Sequence, residues 1–325
     1  MNLSEVDGEP CIRIAMVGPS GVGKTSLLAA MFNTLQDEIC SLDCQLLADS
    51  PTTNALQSRL TELKGLAEGG IKIQKNQGVG GTATATEYNF DLVFDSDSQL
   101  RIQFIDLPGG WYTGGEGYKK ADEILAKSQV TLLAVDSVAL MQNNSLFHEI
   151  ANAPLQIKTA FGRALHSFDP HHALIIVLMR AESYRNQLKE LYSRTREAYK
   201  TFLPILKVNY RGERIQLPVY LTHVETVGCV TVNSVKIIDD TRIEAKFIRN
   251  EGGYSPKFCE RPLRLVLREA FQRKHKEVID GRTFWDILLE LFPGLSKNKS
   301  QRDRINQILR SLSEKLSEDD FVQIQ

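Results

Sequence analysis

The segment Gly18-Pro19-Ser20-Gly21-Val22-Gly23-Lys24-Thr25 follows the pattern G-x-x-x-x-G-K-[ST], and its flanks are the ones the pattern needs. Residues 11–17 form a short, largely apolar and β-branched run that reads as a strand. After Lys24, the side chains Leu27, Leu28, Met31, Phe32 and Leu35 recur at helical spacing. A loop between such a strand and such a helix wraps a polyphosphate. Gly18, Gly21 and Gly23 let backbone N–H groups turn inward without a Cβ clash, and the helix points its positive end at the same anion. The expected contact set is Gly18, Ser20, Gly21, Val22, Gly23, Lys24, Thr25 and Ser26. Within it Lys24 reaches the β/γ oxygens, and the Thr25 hydroxyl ligates a magnesium ion.

The remainder of the 325-residue chain, with 42% hydrophobic side chains, can bury a full core. No apolar run approaches the roughly 18 residues that cross a membrane, the longest compact one being residues 173–179. The first seven residues are acidic and lack an apolar centre, so a cytoplasmic location is expected. Five cysteines without a C-x-x-C pair read as free thiols rather than as disulfides or a zinc site. The net charge of −1 conceals an asymmetry: residues 1–160 carry 11 basic and 19 acidic side chains, residues 161–325 carry 28 and 21. A basic half can attract nucleic acid or an acidic protein surface. Its charges are also interleaved with Leu and Tyr, as on the solvated faces of amphipathic helices. The sequence leaves both readings open.

Along the chain, residues 41–81 read as an irregular stretch with a short helix over 54–67 and glycine-rich ends. A hairpin follows, with strands over 87–94 and 100–105. Helices are expected over 117–127, 145–167 and 184–202, and buried strands over 130–135, 173–179 and 218–222. Short apolar strands alternating with helices make a mainly parallel sheet covered on both faces, a three-layer α/β sandwich. Phosphate ligands of such sheets bind at the carboxyl ends of the strands. Past residue 228 the pattern changes to a hairpin or arm over 230–247 and helices over 262–276, 283–291 and 301–316. The organisation is therefore a nucleotide domain, 1–228, and a mostly helical extension, 229–325.

The second motif closes a strand: Arg101-Ile102-Gln103-Phe104-Ile105-Asp106-Leu107-Pro108-Gly109. Asp106 can hold a magnesium shell, and the Gly109 N–H is free to approach a γ-phosphate. Upstream, Thr82, Thr84 and Thr86 precede the hairpin, and a hydroxyl there can complete the metal's coordination.

Together these residues resemble the translation-factor and Ras-like class of P-loop GTPases over roughly residues 11–228. The Gly-Pro-Ser-Gly loop, the insertion at 41–81 and the Asp-Leu-Pro-Gly-Gly-Trp run are similar, within that class, to the double-GTPase families of prokaryotic conflict operons. The resemblance implies a GTP-binding and GTP-hydrolysing switch with Mg2+, signalling to a protein partner, an effector or a paired GTPase. It makes Thr84, or else Thr82, the first switch threonine and residues 106–109 the second switch. Lys24, Thr84 and Gly109 become the catalytic set, and Thr25, Thr84 and Asp106 the metal set.

Two departures from the resemblance matter. Where the class reads guanine with Asn/Thr-Lys-x-Asp, this chain has Met179-Arg180-Ala181-Glu182. Arg180 can stack on a base, and Glu182 can accept two hydrogen bonds from one methylene further out. A further base contact is expected from backbone N–H groups at 222–224. After the Asp-x-x-Gly, where a water-orienting Gln often stands, the chain has Gly110 and Trp111. Hydrolysis is then slow, or relies on another group such as Glu116, or on one supplied in trans. The competing readings are a nucleotide-gated P-loop ATPase or assembly protein, and a small-molecule kinase whose lid would draw on Arg180, Arg185, Arg194 and Arg196.

Overall fold

The structure is a computed structural model that describes residues 4–6, 9–42, 44–69, 84–95, 98–112, 117–142, 145–169, 172–210, 212–239, 242–277, 299–314, 316 and 321–324. Its centre is strand β2 (Glu9–Val17), flanked in parallel by β5 (Ser98–Asp106) and β6 (Val130–Asp136). β7 (Ala173–Met179) and β10 (Val219–His223) continue the parallel ladder beyond β6, and between them in the chain β8 (Lys207–Tyr210) and β9 (Glu213–Gln216) pair as a separate antiparallel ribbon. Beyond β5 lies antiparallel β4 (Thr86–Asp95), then β3 (Gln45–Ala48). β1 (Ser4–Val6) folds back on β2, and β13 (Val322–Gln323) closes the other edge against β10. Among the described residues the sheet therefore has nine strands, mostly parallel.

Alternation sorts the side chains into two cores, as the period of two in a strand requires. Ile12, Ile14 and Met16 join one cluster with Phe104, Leu132 and Ile175; Ala15 and Val17 join the other with Ile105, Leu133 and Ile176. On the first face lie α1 (Lys24–Ser41) and α2 (Ser50–Glu68). On the second lie α3 (Gly117–Lys127), α6 (Pro154–Ala164) and α7 (Leu188–Ala198). The short α4 (Ser137–Met141) and α5 (Ser145–Asn152) follow β6. This is the doubly covered sheet expected from the sequence.

The stretch at 41–81 is more ordered than its composition suggests, since β3 and all 19 residues of α2 fall within it. Asp49 caps α2 by accepting from the Thr52 N–H at 2.8 Å, with Pro51 in the first turn. The single helix expected over 145–167 is broken. Ala153 takes φ 45°, and Pro154, which cannot donate an N–H to a continuing helix, starts α6. The helix expected over 184–202 is shorter too: a 3-10 turn covers Ala181–Gln187, with Tyr184 off helical geometry, before α7 begins.

Residues beyond 228 pack on the nucleotide fold. β11 (Val230–Asp239) and β12 (Arg242–Arg249) form a separate antiparallel hairpin beside α5. α8 (Arg261–Glu277) and α9 (Lys299–Glu314) bury Leu263, Val266, Leu267, Ile308 and Leu312 in the cluster that holds α1. Arg264 ties them together, with one guanidinium nitrogen on the Leu312 carbonyl at 3.2 Å and another on the Glu38 carboxylate of α1. The helix expected over 283–291 lies outside the described residues. Among the described residues no helix is long and apolar enough to cross a membrane.

One buried network fixes the end of β6. The Asn152 side chain imitates a neighbouring strand, accepting from the Asp136 N–H at 2.7 Å and donating to the Asp136 carbonyl at 3.2 Å. Its amide also donates to His148 Nδ1 at 3.0 Å, so the imidazole must be neutral to accept. Burial pushes the His148 pKa down to about 4. Between pH 4 and the ordinary histidine value the unfolded chain therefore holds a proton that the folded chain lacks, and stability falls as pH drops through that window. The expected loss between pH 6.5 and 4 is about 3 kcal/mol. Urea titrations across pH should show it in the parent protein and not in His148→Gln; parallel curves for the two would refute it.

Candidate functional site

The phosphate loop is held from below by close backbone contacts. Gly18 takes φ 146°, and a Cβ there would lie 2.6 Å from the Ala134 carbonyl of β6, so only glycine lets the loop rest on that strand. Gly23, at φ 108°, starts α1 without any side-chain cap, and no acidic residue stands in the first turn. The first N–H groups of α1 therefore face the loop as an uncapped, positive helix end. Lys24 folds over the loop, donating to the carbonyls of Gly18 (3.0 Å) and Pro19 (3.3 Å).

β5 delivers Asp106 to the same place. In the parallel register Asp106 stands opposite Met16, and the chain beyond stays attached through Leu107 N–H to Met16 carbonyl, 3.1 Å. Lys24 Nζ lies 3.4 Å from Asp106 Oδ1, and the Thr25 hydroxyl lies 3.5 Å from Oδ2. Burial pushes the Asp106 carboxyl up, opposed by the positive charge of Lys24. Oδ1 is buried and accepts no hydrogen bond among the described residues. A carboxylate beside a threonine hydroxyl, with the Lys24 ammonium its nearest cation, suits a hard cation such as Mg2+ that takes one or two protein ligands and fills its shell from phosphate and water. The donor set fits that ion. No cluster of three or more His, Cys, Asp or Glu forms an all-protein metal cage among the described residues.

Gly109 closes the pair of loops. It sits at the start of a 3-10 turn, Gly109–Tyr112, and a Cβ there would come within 2.7 Å of the Ser20 nitrogen. The second-switch glycine thus lies directly on the phosphate loop. Trp111 donates its N–H to the Pro108 carbonyl at 3.0 Å, and its indole lies where a Cβ on Gly117 would be. Gly110 is exposed, and a Cβ at that position would meet nothing within 4 Å. Thr84 is exposed at the bend leading into β4, two residues before Thr86, which pairs with Asp106 across the ladder. Thr82 and Glu116 lie outside the described residues.

At the expected base side, Arg180 is engaged on three sides. It donates to Asp136 Oδ2 at 2.7 Å and to the Gly21 carbonyl at 2.5 Å, and its guanidinium stacks 5.5 Å from the Phe247 ring centre of β12. Glu182 is buried, and Oε1 accepts from the Val227 and Gly228 N–H groups at 3.0 and 3.3 Å; burial pushes its carboxyl up, opposed by those donors. At the strand end 222–224, expected to meet the base through backbone N–H groups, one amide and the next one along are engaged. Val224 N–H bonds to the Leu178 carbonyl and Glu225 N–H to the Lys257 carbonyl.

The structure thus gathers Gly18, Lys24, Thr25, Asp106 and Gly109 around one loop and brings Arg180 to its rim. Sequence reasoning missed Asp136, which anchors Arg180, and Tyr88, which lies diagonal to Asp106 across the β4–β5 ladder. Asp136 had a signal, an acidic residue closing an apolar strand next to the phosphate-loop strand. Tyr88 had one only in combination, since its place beside Asp106 follows from the β4–β5 register.

Gly109→Ala tests the contact between the two loops. Its methyl would force Gly109 away from Ser20, so triphosphate affinity should drop at least about tenfold, with the circular dichroism spectrum preserved. Unaltered affinity in a titration with a fluorescent nucleotide would show that the contact does not matter.

Residues 12–210 match the family described as Double-GTPase 2. No curated protein matches the chain. Among solved structures, the S. cerevisiae Ski7 GTPase-like domain is similar in two nucleotide-bound forms. The form bound to GDP and inorganic phosphate is 13% identical, with a TM-score of 0.38, over 66% of this chain and 43% of that one. The form bound to GTP is 12% identical, with a TM-score of 0.33, over 66% and 42%. This chain therefore spans less than half the length of those proteins. With most of the chain, including the loops at 18–25 and 106–109, inside the matched segment, the protein belongs to the Double-GTPase 2 family.

Proposed function

We propose that this P-loop protein is a molecular switch that binds GTP with Mg2+, hydrolyses it slowly alone, and passes its nucleotide state to a protein partner. The partner is an effector or a paired GTPase, and the sequence resemblance to conflict-operon families suggests a cytoplasmic role in bacterial defence. One observation carries the reading: Lys24, Thr25, Asp106 and Gly109 converge on the glycine loop from two segments about 80 residues apart. In this reading the N–H groups of residues 18–26 cradle the phosphates, and Lys24 leaves the loop carbonyls for the β/γ oxygens. Thr25 and Asp106 hold Mg2+, which neutralises charge on those oxygens; Thr84 and Gly109 close on the γ-phosphate. Phosphoryl transfer asks for little more than such positioning and charge stabilisation. Gly110 has no side chain to orient the attacking water, which accounts for slow turnover in the isolated chain.

The second reading, a P-loop ATPase or assembly protein, has a specific observation in its favour. Glu182, the carboxylate expected to accept from guanine, has one oxygen occupied by two backbone donors, and Arg180 is already held by Asp136 and Gly21. In the GTPase reading, Arg180 and Glu182 then shape the base pocket as well as touching the base.

A nucleotide panel separates the readings: tight GTP binding with hydrolysis, against a preference for ATP, or phosphoryl transfer to an acceptor. Lys24→Ala should lower single-turnover hydrolysis about a hundredfold or more, since one such donor stabilises the transition state by about 3–4 kcal/mol. Preference for ATP, or full turnover without Lys24, would overturn the proposal. Because position 110 has open space, Gly110→Gln should fold normally and raise the single-turnover rate by about tenfold, about 1.4 kcal/mol in barrier height. No acceleration would place the cause of slow hydrolysis elsewhere.

A further inference from the structure

Two neighbouring side chains of the turn after β7 hold the segment that leads into the hairpin. Glu182 accepts from the Val227 and Gly228 N–H groups, and the Ser183 hydroxyl accepts from the Val232 N–H at 2.8 Å. The Ser183 bond sets the hairpin in place. Val232 is the cross-strand partner of Phe247, so a bond that pins Val232 to the turn also pins the position of Phe247. The ladder shifts register directly afterwards, between Val232 and Ser234, and irregularities of this kind re-aim the side chains beside them. The end of β12 is tied as well, since Arg249 donates to the Glu68 carbonyl at the end of α2, 3.1 Å. Phe247 is thereby brought to Arg180, whose guanidinium carbon lies 5.5 Å from the ring centre and whose Nη2 donates to the Gly21 carbonyl of the phosphate loop.

Phe247 does not belong to either core cluster. Ala245, two residues earlier on the same face of β12, is buried, whereas Phe247 keeps part of its surface in solvent, as Arg180 does. Asp136 and Gly21 each hold one guanidinium nitrogen, so the cation is fixed in place instead of following a ligand. A fixed planar cation and an aromatic ring, side by side and partly open at the rim of the loop, offer the two kinds of surface on which nucleobases stack.

We propose that Phe247 is a nucleotide-binding residue: the β11–β12 hairpin, outside the segment that matches the family, supplies the ring on which the base of the bound nucleotide stacks beside Arg180. The inference rests on residues 18–25 as the phosphate site and deepens that reading by assigning the base side. Every base has a π-face, so the contact serves GTP and ATP alike, and selection between them falls to hydrogen bonds at the base edge.

The test compares ligands that carry a base with one that lacks it. The full chain is titrated by calorimetry, in Mg2+, with whichever non-hydrolysable GTP or ATP analogue the parent binds more tightly, with the matching diphosphate, and with inorganic tripolyphosphate. Phe247→Leu should lower the affinity for both nucleotides about tenfold and leave that for tripolyphosphate unchanged. Phe247→Tyr keeps the ring and should bind as the parent does. In Phe247→Trp, nucleotide should quench indole emission beyond any change seen in the parent, and tripolyphosphate should not. The proposal fails if Phe247→Leu matches the parent for every ligand. It fails equally if tripolyphosphate affinity falls together with that of the nucleotides, because the ring then acts through Arg180 on the loop. Both of those results leave the phosphate site standing. If the parent binds neither analogue nor tripolyphosphate, the phosphate-site reading fails and this inference with it.

Discussion

A carboxylate buried at the end of a buried strand must be met by a cation or by hydroxyls, and Asp106 is met by both. Lys24 approaches one oxygen and Thr25 the other. The attraction ties the first turn of α1 to the end of β5, and much of the nucleotide half follows from that tie. β5 must lie next to β2 in the register that puts Asp106 beside Met16, and the chain leaving β5 must then pass over the loop. It does so at Gly109, whose missing Cβ allows contact with the Ser20 nitrogen. The loop is supported from the other side by Ala134 of β6, again through a glycine. Loss of either glycine introduces a clash with backbone, which cannot rotate away as a side chain can.

From this centre two lines of contact lead to the segment beyond residue 228. The first runs through Arg180, which touches the loop at the Gly21 carbonyl, the end of β6 at Asp136 and the hairpin at Phe247. Asp136 is in turn fixed by Asn152 and His148. The second runs along α1 itself. Its 18 residues make a rod about 27 Å long. Lys24 is at the phosphate end, and near the far end Glu38 pairs with Arg264 of α8, which also holds the Leu312 carbonyl of α9. Arg264 is buried and Glu38 nearly so, so the pair resists exchange with water.

The sequence made the nucleotide half readable because its strands are short, apolar and bounded by motifs with fixed geometry. The phosphate loop, the Asp106–Gly109 segment and the strands at 130–136 and 173–179 stand close to where residue patterning puts them. The misses have local causes. Residues 145–167 keep a helical apolar period across Pro154, so periodicity alone runs through the break that Ala153 makes. The helix expected over 54–67 is α2, which begins four residues earlier, behind the Asp49 cap and Pro51 that the apolar stripe Leu56, Leu60, Leu63 and Ala67 does not mark. The surroundings of Arg180 and Glu182 were not readable at all. Their partners Gly21, Asp136, Val227 and Phe247 are brought together by strand order and by the hairpin, neither of which leaves a mark in local sequence.

The two ties on the loop fall on adjacent residues, Gly109 against the Ser20 nitrogen and Arg180 on the Gly21 carbonyl. Both are approaches to backbone, the first so close that a Cβ would not fit and the second a 2.5 Å hydrogen bond, so a displacement of the loop is felt at both. Interiors packed at crystalline density transmit such displacements instead of absorbing them. The Gly109 contact leads to the exposed turn before α3, where Trp111 packs on Gly117. The Arg180 contact leads to a hairpin that exposes Ile237, Ile238 and Ile248. In the proposed switch, a phosphate that pulled on Ser20 and Gly21 together would act on two surfaces on different elements at once, with no need for a continuous path between them. Such coupling would follow from how closely the backbone packs around one loop, and would not depend on which base the nucleotide carried.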